Sequence, residues 1–102
     1  MEKVNKLIIK WREKAPAEAP WKEVRLVVEA FFTWKWGKGS HVVVESQDIR
    51  RIIQEKGYGN HFLPFNYQAE FNVVVHHDTV LGVDVKKVIK AIDILEVVRY
   101  LR

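Results

Sequence analysis

The strongest constraint on the fold is a pair of alternating apolar runs in residues 32–44, separated by a Gly-Lys-Gly-Ser break. Alternation of apolar and polar side chains is typical of strands, and a glycine-rich break between two such runs predicts a β-hairpin. Trp34 and Trp36 share one face of the first strand, while Lys35 lies on the other. The second strand begins at His41. The predicted hairpin therefore holds an imidazole and lysines close to a glycine turn.

Helical periodicity accounts for both ends of the chain. Apolar residues recur at helical spacing in residues 2–14 and 84–101, with charged residues between them. Residues 15–20 interrupt this pattern with two prolines, which lack an amide hydrogen, so we expect a tight link between two helices. A second helix follows the link, and Pro20 suits its first position. The apolar residues along one side of this helix are Trp21, Val24, Val27, Val28 and Phe31. Asp84 is a good N-cap for the last helix.

A third strand is predicted over residues 69–77, where apolar side chains again alternate with polar ones. Between it and the hairpin, residues 46–68 contain a short helical pattern that Ser46 or Asp48 could cap, followed by an aromatic-rich loop. The apolar faces of these helices and strands are buried most simply in an α+β fold, in which helices pack on one face of a small three-stranded antiparallel sheet. The opposite face, which carries Lys35, is then free to meet a ligand.

Composition limits the class of protein. A chain of 102 residues forms one domain. Its net charge of +4 and its pI of about 9.4 favour a polyanionic partner. The chain has no cysteine, which excludes disulfides and thiolate chemistry and suits a cytoplasmic protein. Its apolar runs are shorter than a membrane span, and its N-terminus lacks the apolar core of a signal peptide, so we expect no membrane partner.

The hairpin turn carries the chemistry. A histidine acts as a general acid or base near neutral pH, and it could act on a ribose 2′-hydroxyl beside a scissile phosphate. Glycines on either side of a lysine let the backbone approach such a phosphate, and lysines stabilise its developing negative charge. Residue types alone leave a plainer alternative open, in which the glycines only turn the hairpin and His41 is a surface residue.

Four stretches of this chain resemble the HicA family of mRNA interferase toxins. They are the second predicted helix, Gly-Ser-His at residues 39–41, the later Val-Val-Val-His-His, and the helical Val-Lys-Lys-Val-Ile-Lys-Ala-Ile. The resemblance implies one HicA-like domain over residues 1–102, with a fold similar to a double-stranded-RNA-binding domain. Residues 1–19 would be an extra N-terminal helix and linker, and residues 46–68 an insertion between strands 2 and 3.

The resemblance also implies a function. The chain would be an endoribonuclease that cleaves mRNA with His41 as general acid or base, without a metal or cofactor. A HicB-type antitoxin would hold it inactive. On this interpretation the residues that bind the RNA are Lys35, Lys38, Gly39, Ser40 and His77.

Two other functions fit the same sequence. One is a non-catalytic RNA-binding module that uses the same basic face. The other is a protein-interaction domain that docks a partner through the aromatic residues 58–67. The lysines of the last helix could contact phosphates or only keep the surface soluble, and Trp34 and Trp36 could stack on bases or belong to the core.

A metal site at His76-His77-Asp78 is not expected. Adjacent strand residues point to opposite faces, so His76 and His77 cannot easily bind one ion. We therefore predict no metal.

Overall fold

A computed structural model describes residues 1–100. The helices are α1 (Glu2–Glu13), α2 (Trp21–Phe31), α3 (Gln47–Lys56) and α4 (Gly82–Tyr100). The strands are β1 (Glu18–Pro20), β2 (Thr33–Trp36), β3 (His41–Glu45), β4 (Glu70–His76) and β5 (Thr79–Leu81). A single 3₁₀ turn, Asn60–Phe62, lies between α3 and β4. The predicted end of the last helix at residue 101 lies outside the described residues.

The strands form one antiparallel sheet in the order β1-β5-β4-β3-β2. The α+β class and the antiparallel sheet are confirmed, but the prediction of three strands was wrong because the sheet has five. The two additional strands, β1 and β5, have three residues each, which is too short for an alternating pattern to be recognised. They pair with each other, Ala19 opposite Val80, and so the predicted link between the first two helices is also an edge strand.

The helices cover one face of the sheet. Val42 and Val44 of β3 and Val73 of β4 are fully buried on that face, as the alternating pattern predicts. The opposite face is uncovered, and its side chains include the exposed His41 and Val74. Every second residue of the central strands is therefore exposed or half-buried.

The start of α4 differs from the prediction. The helix begins at Gly82, not at Asp84, and the Gly82 amide donates to the carbonyl of Ala17 (2.8 Å). A Cβ at Gly82 would lie 2.0 Å from the Pro16 oxygen, so no other residue fits at this close approach. Similarly, Pro20 ends β1 and α2 begins one residue later, at Trp21.

Asp84 therefore lies inside the first turn of α4, and the prediction that it caps the helix was wrong. Its carboxylate accepts a hydrogen bond from the Val74 amide of β4 (2.9 Å) and pairs with Lys87 (3.0 Å). Asp84 takes this role because β5 pairs with β4 only at Val75 and His76, which leaves the Val74 amide without a backbone acceptor in β5. The Asp84 carboxylate of α4 supplies the acceptor instead.

The segment between β3 and β4 is a short helix followed by a packed loop. Ser46 caps α3 by accepting from the Ile49 amide (3.2 Å), which confirms one of the two predicted caps. In the loop, Phe62 and Phe65 are buried, and the Tyr58 hydroxyl donates to the Phe65 carbonyl (2.6 Å). Phe62 and Phe65 thus belong to the core, whereas Tyr58, Leu63 and Tyr67 of the same loop are exposed. Among residues 1–100, no helix is long and apolar enough to cross a membrane.

Candidate functional site

Two turns meet at one end of the sheet. The β2–β3 turn and the β4–β5 turn lie side by side, because Ser40 accepts a hydrogen bond from the Val75 amide (2.8 Å) and His41 lies opposite Val74. His77 and Asp78 form the second turn, and both have positive φ, +50° and +58°. Two consecutive positive φ angles are the conformation of a type I′ turn. The candidate site is this pair of turns and the strand ends beside it.

His41 and His76 lie on the same uncovered face at this end. His41 is directly opposite Val74, so His76, two residues further along β4, is its diagonal neighbour. Side chains in that relation have Cβ atoms within about 7–8 Å. Both imidazoles are exposed. Histidine is the residue type that can act as a general base or a general acid near neutral pH.

The resemblance implied a role for His77, whereas the structure places His76 beside His41. His77 lies in the turn, and its ring contacts that of His76 with 4.1 Å between the centroids. The signal that could have found His76 was strand parity, because a residue two positions from Val74 must share its face. That signal required the register of β3 and β4, which the sequence does not reveal.

The β2–β3 turn offers unoccupied hydrogen-bond donors. Gly39 has φ +57°, and a Cβ added to it would meet no atom within 4 Å, so the turn faces open space. Within residues 1–100, the amides of Lys38, Gly39 and Ser40 donate no hydrogen bond. Lys38 is exposed, and no carboxylate among residues 1–100 forms an ion pair with it. Successive free amides around a left-handed residue favour an anion.

Lys35, by contrast, does not join this site. Lys35 lies opposite Val43, so Glu45 is its diagonal neighbour on the uncovered face. The Lys35 ammonium is 3.1 Å from one carboxylate oxygen of Glu45, and the Arg50 guanidinium is 3.3 Å from the other. The hydrogen bond from Lys35, followed by that from Arg50, holds the pKa of Glu45 below its usual value. The structure thus brings together His41, Lys38, Gly39, Ser40 and His77, and it adds His76.

A second group of cations lies at the start of α4. Lys86 lines three shallow depressions, one shared with Lys90 and Trp11, one with Lys14 and Leu81, and one formed with Lys90 and the Leu63-Pro64 segment. Among the described residues, Lys14, Lys86 and Lys90 have no carboxylate partner. We call these three residues the α4 lysine group.

Residues 1–100 contain no cluster of three or more histidine, aspartate or glutamate side chains placed to hold a metal ion. No family model, curated protein or solved structure matches this chain. The resemblance to HicA toxins therefore stays a prediction, and the geometry of the two turns carries the functional argument.

Proposed function

We propose that this chain is an endoribonuclease whose reaction takes place at the two-turn end of the sheet. The observation that carries the proposal is the position of His41 and His76, which share the uncovered face beside the free amides of the β2–β3 turn. An acid, a base and an anion-binding turn are the groups that RNA transesterification requires.

The reaction follows from these groups. One imidazole, as base, removes the proton from a ribose 2′-hydroxyl, whose oxygen attacks the adjacent phosphorus. The other, as acid, protonates the 5′-oxygen as its bond to phosphorus breaks. The products are a 2′,3′-cyclic phosphate and a 5′-hydroxyl. The amides of Gly39 and Ser40, with the Lys38 ammonium, stabilise the charge that develops on the phosphate oxygens. Because Lys35 pairs with Glu45, we leave it out of the phosphate site.

The biological setting of the proposal rests on the resemblance. As a HicA-like toxin with a fold similar to a double-stranded-RNA-binding domain, the chain acts on mRNA in the cytoplasm. A HicB-type antitoxin neutralises it. The two-turn end of the sheet is the surface that such an antitoxin has to cover.

The test is cleavage of a mixed-sequence single-stranded RNA with chelator present throughout. We expect the wild type to cleave, and His41→Ala and His76→Ala each to lose about 10²- to 10⁴-fold in rate, the usual contribution of a general acid or base. The matched control is His61→Ala, since His61 lies in the 3₁₀ turn outside the site. The proposal is wrong if the two site variants cleave like the wild type, or if the products lack cyclic phosphate ends.

A second candidate function, a non-catalytic RNA-binding module, is favoured by the α4 lysine group. Its unpaired cations line the depressions around the start of α4, and no histidine lines any of these depressions. This function predicts that Lys86→Ala with Lys90→Ala lowers RNA affinity and reduces the salt slope by about 2, while no cleavage occurs. Lys3→Ala, an exposed lysine of α1, is the control and should change neither quantity appreciably.

The protein-interaction alternative has less support. Phe62 and Phe65, the centre of the aromatic segment, are buried and unavailable to a partner. Of that segment's aromatic rings, Tyr67 is the one most exposed to solvent, at 69%.

A further inference from the structure

We infer that Trp36 is a stacking platform for one unpaired nucleobase, so that the RNA bound at the two-turn end is single-stranded. The inference rests on the proposed RNA contact at that end, and it adds a binding residue and a substrate class. It starts from the unequal environments of three tryptophans that contact one another: Trp21, Trp34 and Trp36.

Trp21 and Trp34 are already engaged by the protein. Trp21 is 8% exposed. Trp34 is half-buried, its indole nitrogen donates to Glu29 (3.0 Å), and the Arg25 guanidinium lies 5.3 Å from its ring centroid. The Trp34 hydrogen bond, followed by that from Arg25, lowers the pKa of Glu29.

Trp36 has none of these partners. It is 54% exposed, and within residues 1–100 its indole nitrogen donates no hydrogen bond and no cation lies over its ring. Yet its orientation is held, because its ring packs against Trp34 (5.7 Å, 85°) and Trp21 (6.0 Å, 56°). An aromatic ring that is both exposed and held in place loses little entropy when a ligand stacks on it.

Its location connects it to the phosphate site. Trp36 is the last residue of β2 and lies opposite Val42, so its indole is on the helix side of the sheet, while His41 lies on the uncovered side. From strand spacing and rise, the Cα atoms of Trp36 and His41 are only about 6 Å apart. The turn between them carries the free amides. A strand of RNA that crosses the sheet end there can place a base on Trp36 and its phosphate on the turn.

The charges around the ring favour a nucleic acid over an apolar protein segment. Lys38 follows two residues after Trp36 and has no carboxylate partner among residues 1–100, while Glu29, which accepts from Trp34, is already paired with Arg25. Asp78 is the one carboxylate within the two turns. Stacking requires an unpaired base, since the bases of a duplex already stack on each other, and every base has a face that can stack on an indole.

The experiment measures affinity with RNA that cannot be cleaved. The probe is a 2′-O-methyl single strand of mixed sequence, with its duplex for comparison, and the readout is fluorescence anisotropy. Trp36→Leu removes the aromatic face but keeps an apolar side chain, and we expect about tenfold weaker binding of the single strand. Trp36→Phe keeps a ring and should stay within about threefold of the wild type. Ile9→Ala is the matched control because Ile9 is an apolar residue of α1 that is 56% exposed and lies outside the two turns and the α4 lysine group.

A single abasic position, moved along the probe, links the residue to the base. At one position it should weaken binding by the wild type about tenfold and leave the affinity of Trp36→Leu unchanged. Thermal unfolding of each variant separates a loss of stacking from a loss of folding.

Three results would overturn the inference: equal affinity of wild type and Trp36→Leu, equal losses in the Phe and Leu variants, or equal effects on single strand and duplex. Equal losses in the Phe and Leu variants would point instead to shape-specific apolar contact, as in protein docking. Because the probe cannot be cleaved, the outcome does not depend on catalysis by His41. Cleavage with no effect of Trp36 refutes this inference alone, and stacking without cleavage refutes only the proposed catalysis.

Discussion

Replacing Asp84 with alanine should destabilise the protein by about 2–4 kcal/mol. The side chain is 9% exposed, and its carboxylate is the acceptor for the Val74 amide of β4. A hydrogen bond to a charged group contributes about 1.5–3 kcal/mol, and a donor left without a partner in a partly buried site adds to the loss. The ion pair with Lys87 contributes at most about 1 kcal/mol, because Lys87 is 41% exposed.

The assay is urea and thermal unfolding followed by circular dichroism. For a domain of this size the expected loss lowers the melting temperature by on the order of 15 °C. Asp84→Asn keeps an oxygen that can accept from Val74, so it should lose only about 1 kcal/mol. Amide hydrogen exchange supplies a local readout, because the Val74 amide should lose protection more than its neighbours in β4.

The matched control is Asp93→Ala, which removes another carboxylate of α4. Asp93 pairs with Arg12 at the surface, where it is 55% exposed, and should lose less than about 1 kcal/mol. The reasoning is refuted if Asp84→Ala is no more destabilising than Asp93→Ala, or if Asp84→Asn is as damaging as Asp84→Ala.

Three further predictions concern stability. Gly82→Ala should cost more than about 3 kcal/mol in chemical unfolding, since the new Cβ would lie 2.0 Å from the Pro16 oxygen; a near-neutral result would contradict the close approach. Ser46→Ala should cost about 1 kcal/mol by the same assay, from the lost α3 cap, and Ser46→Asp should largely restore it. Because the pKa of Glu45 is lowered in the folded state, chiefly by Lys35, its stabilising effect is complete above the pKa of an unfolded glutamate. The stability difference between wild type and Glu45→Gln should therefore be constant near pH 7 and shrink toward about pH 3; a difference that grows on acidification would contradict the ion pairs.

The candidate site was predictable in part. The turn residues and His41 follow from local pattern, because a glycine break between alternating runs constrains the few residues around it. The position of His76 beside His41 was not predictable, since it depends on how β3 and β4 align across a long connection. For Lys35 the sequence suggested a phosphate ligand, because lysine is a common one. In the structure its ammonium forms an ion pair with Glu45 instead.

By itself, the sequence determined the elements whose signal is local: the β2–β3 hairpin, the helices with their apolar stripes, the Ser46 cap and hence the α+β class. Covalent spacing alone generates periods of 2 and 3.6 residues, so these features need no information about distant partners. Only the tertiary structure decided the two three-residue strands, the role of Asp84 and the exposure of Trp36. Each of these depends on which distant segment lies alongside, and a short strand or a single side chain has no period from which to infer its partner.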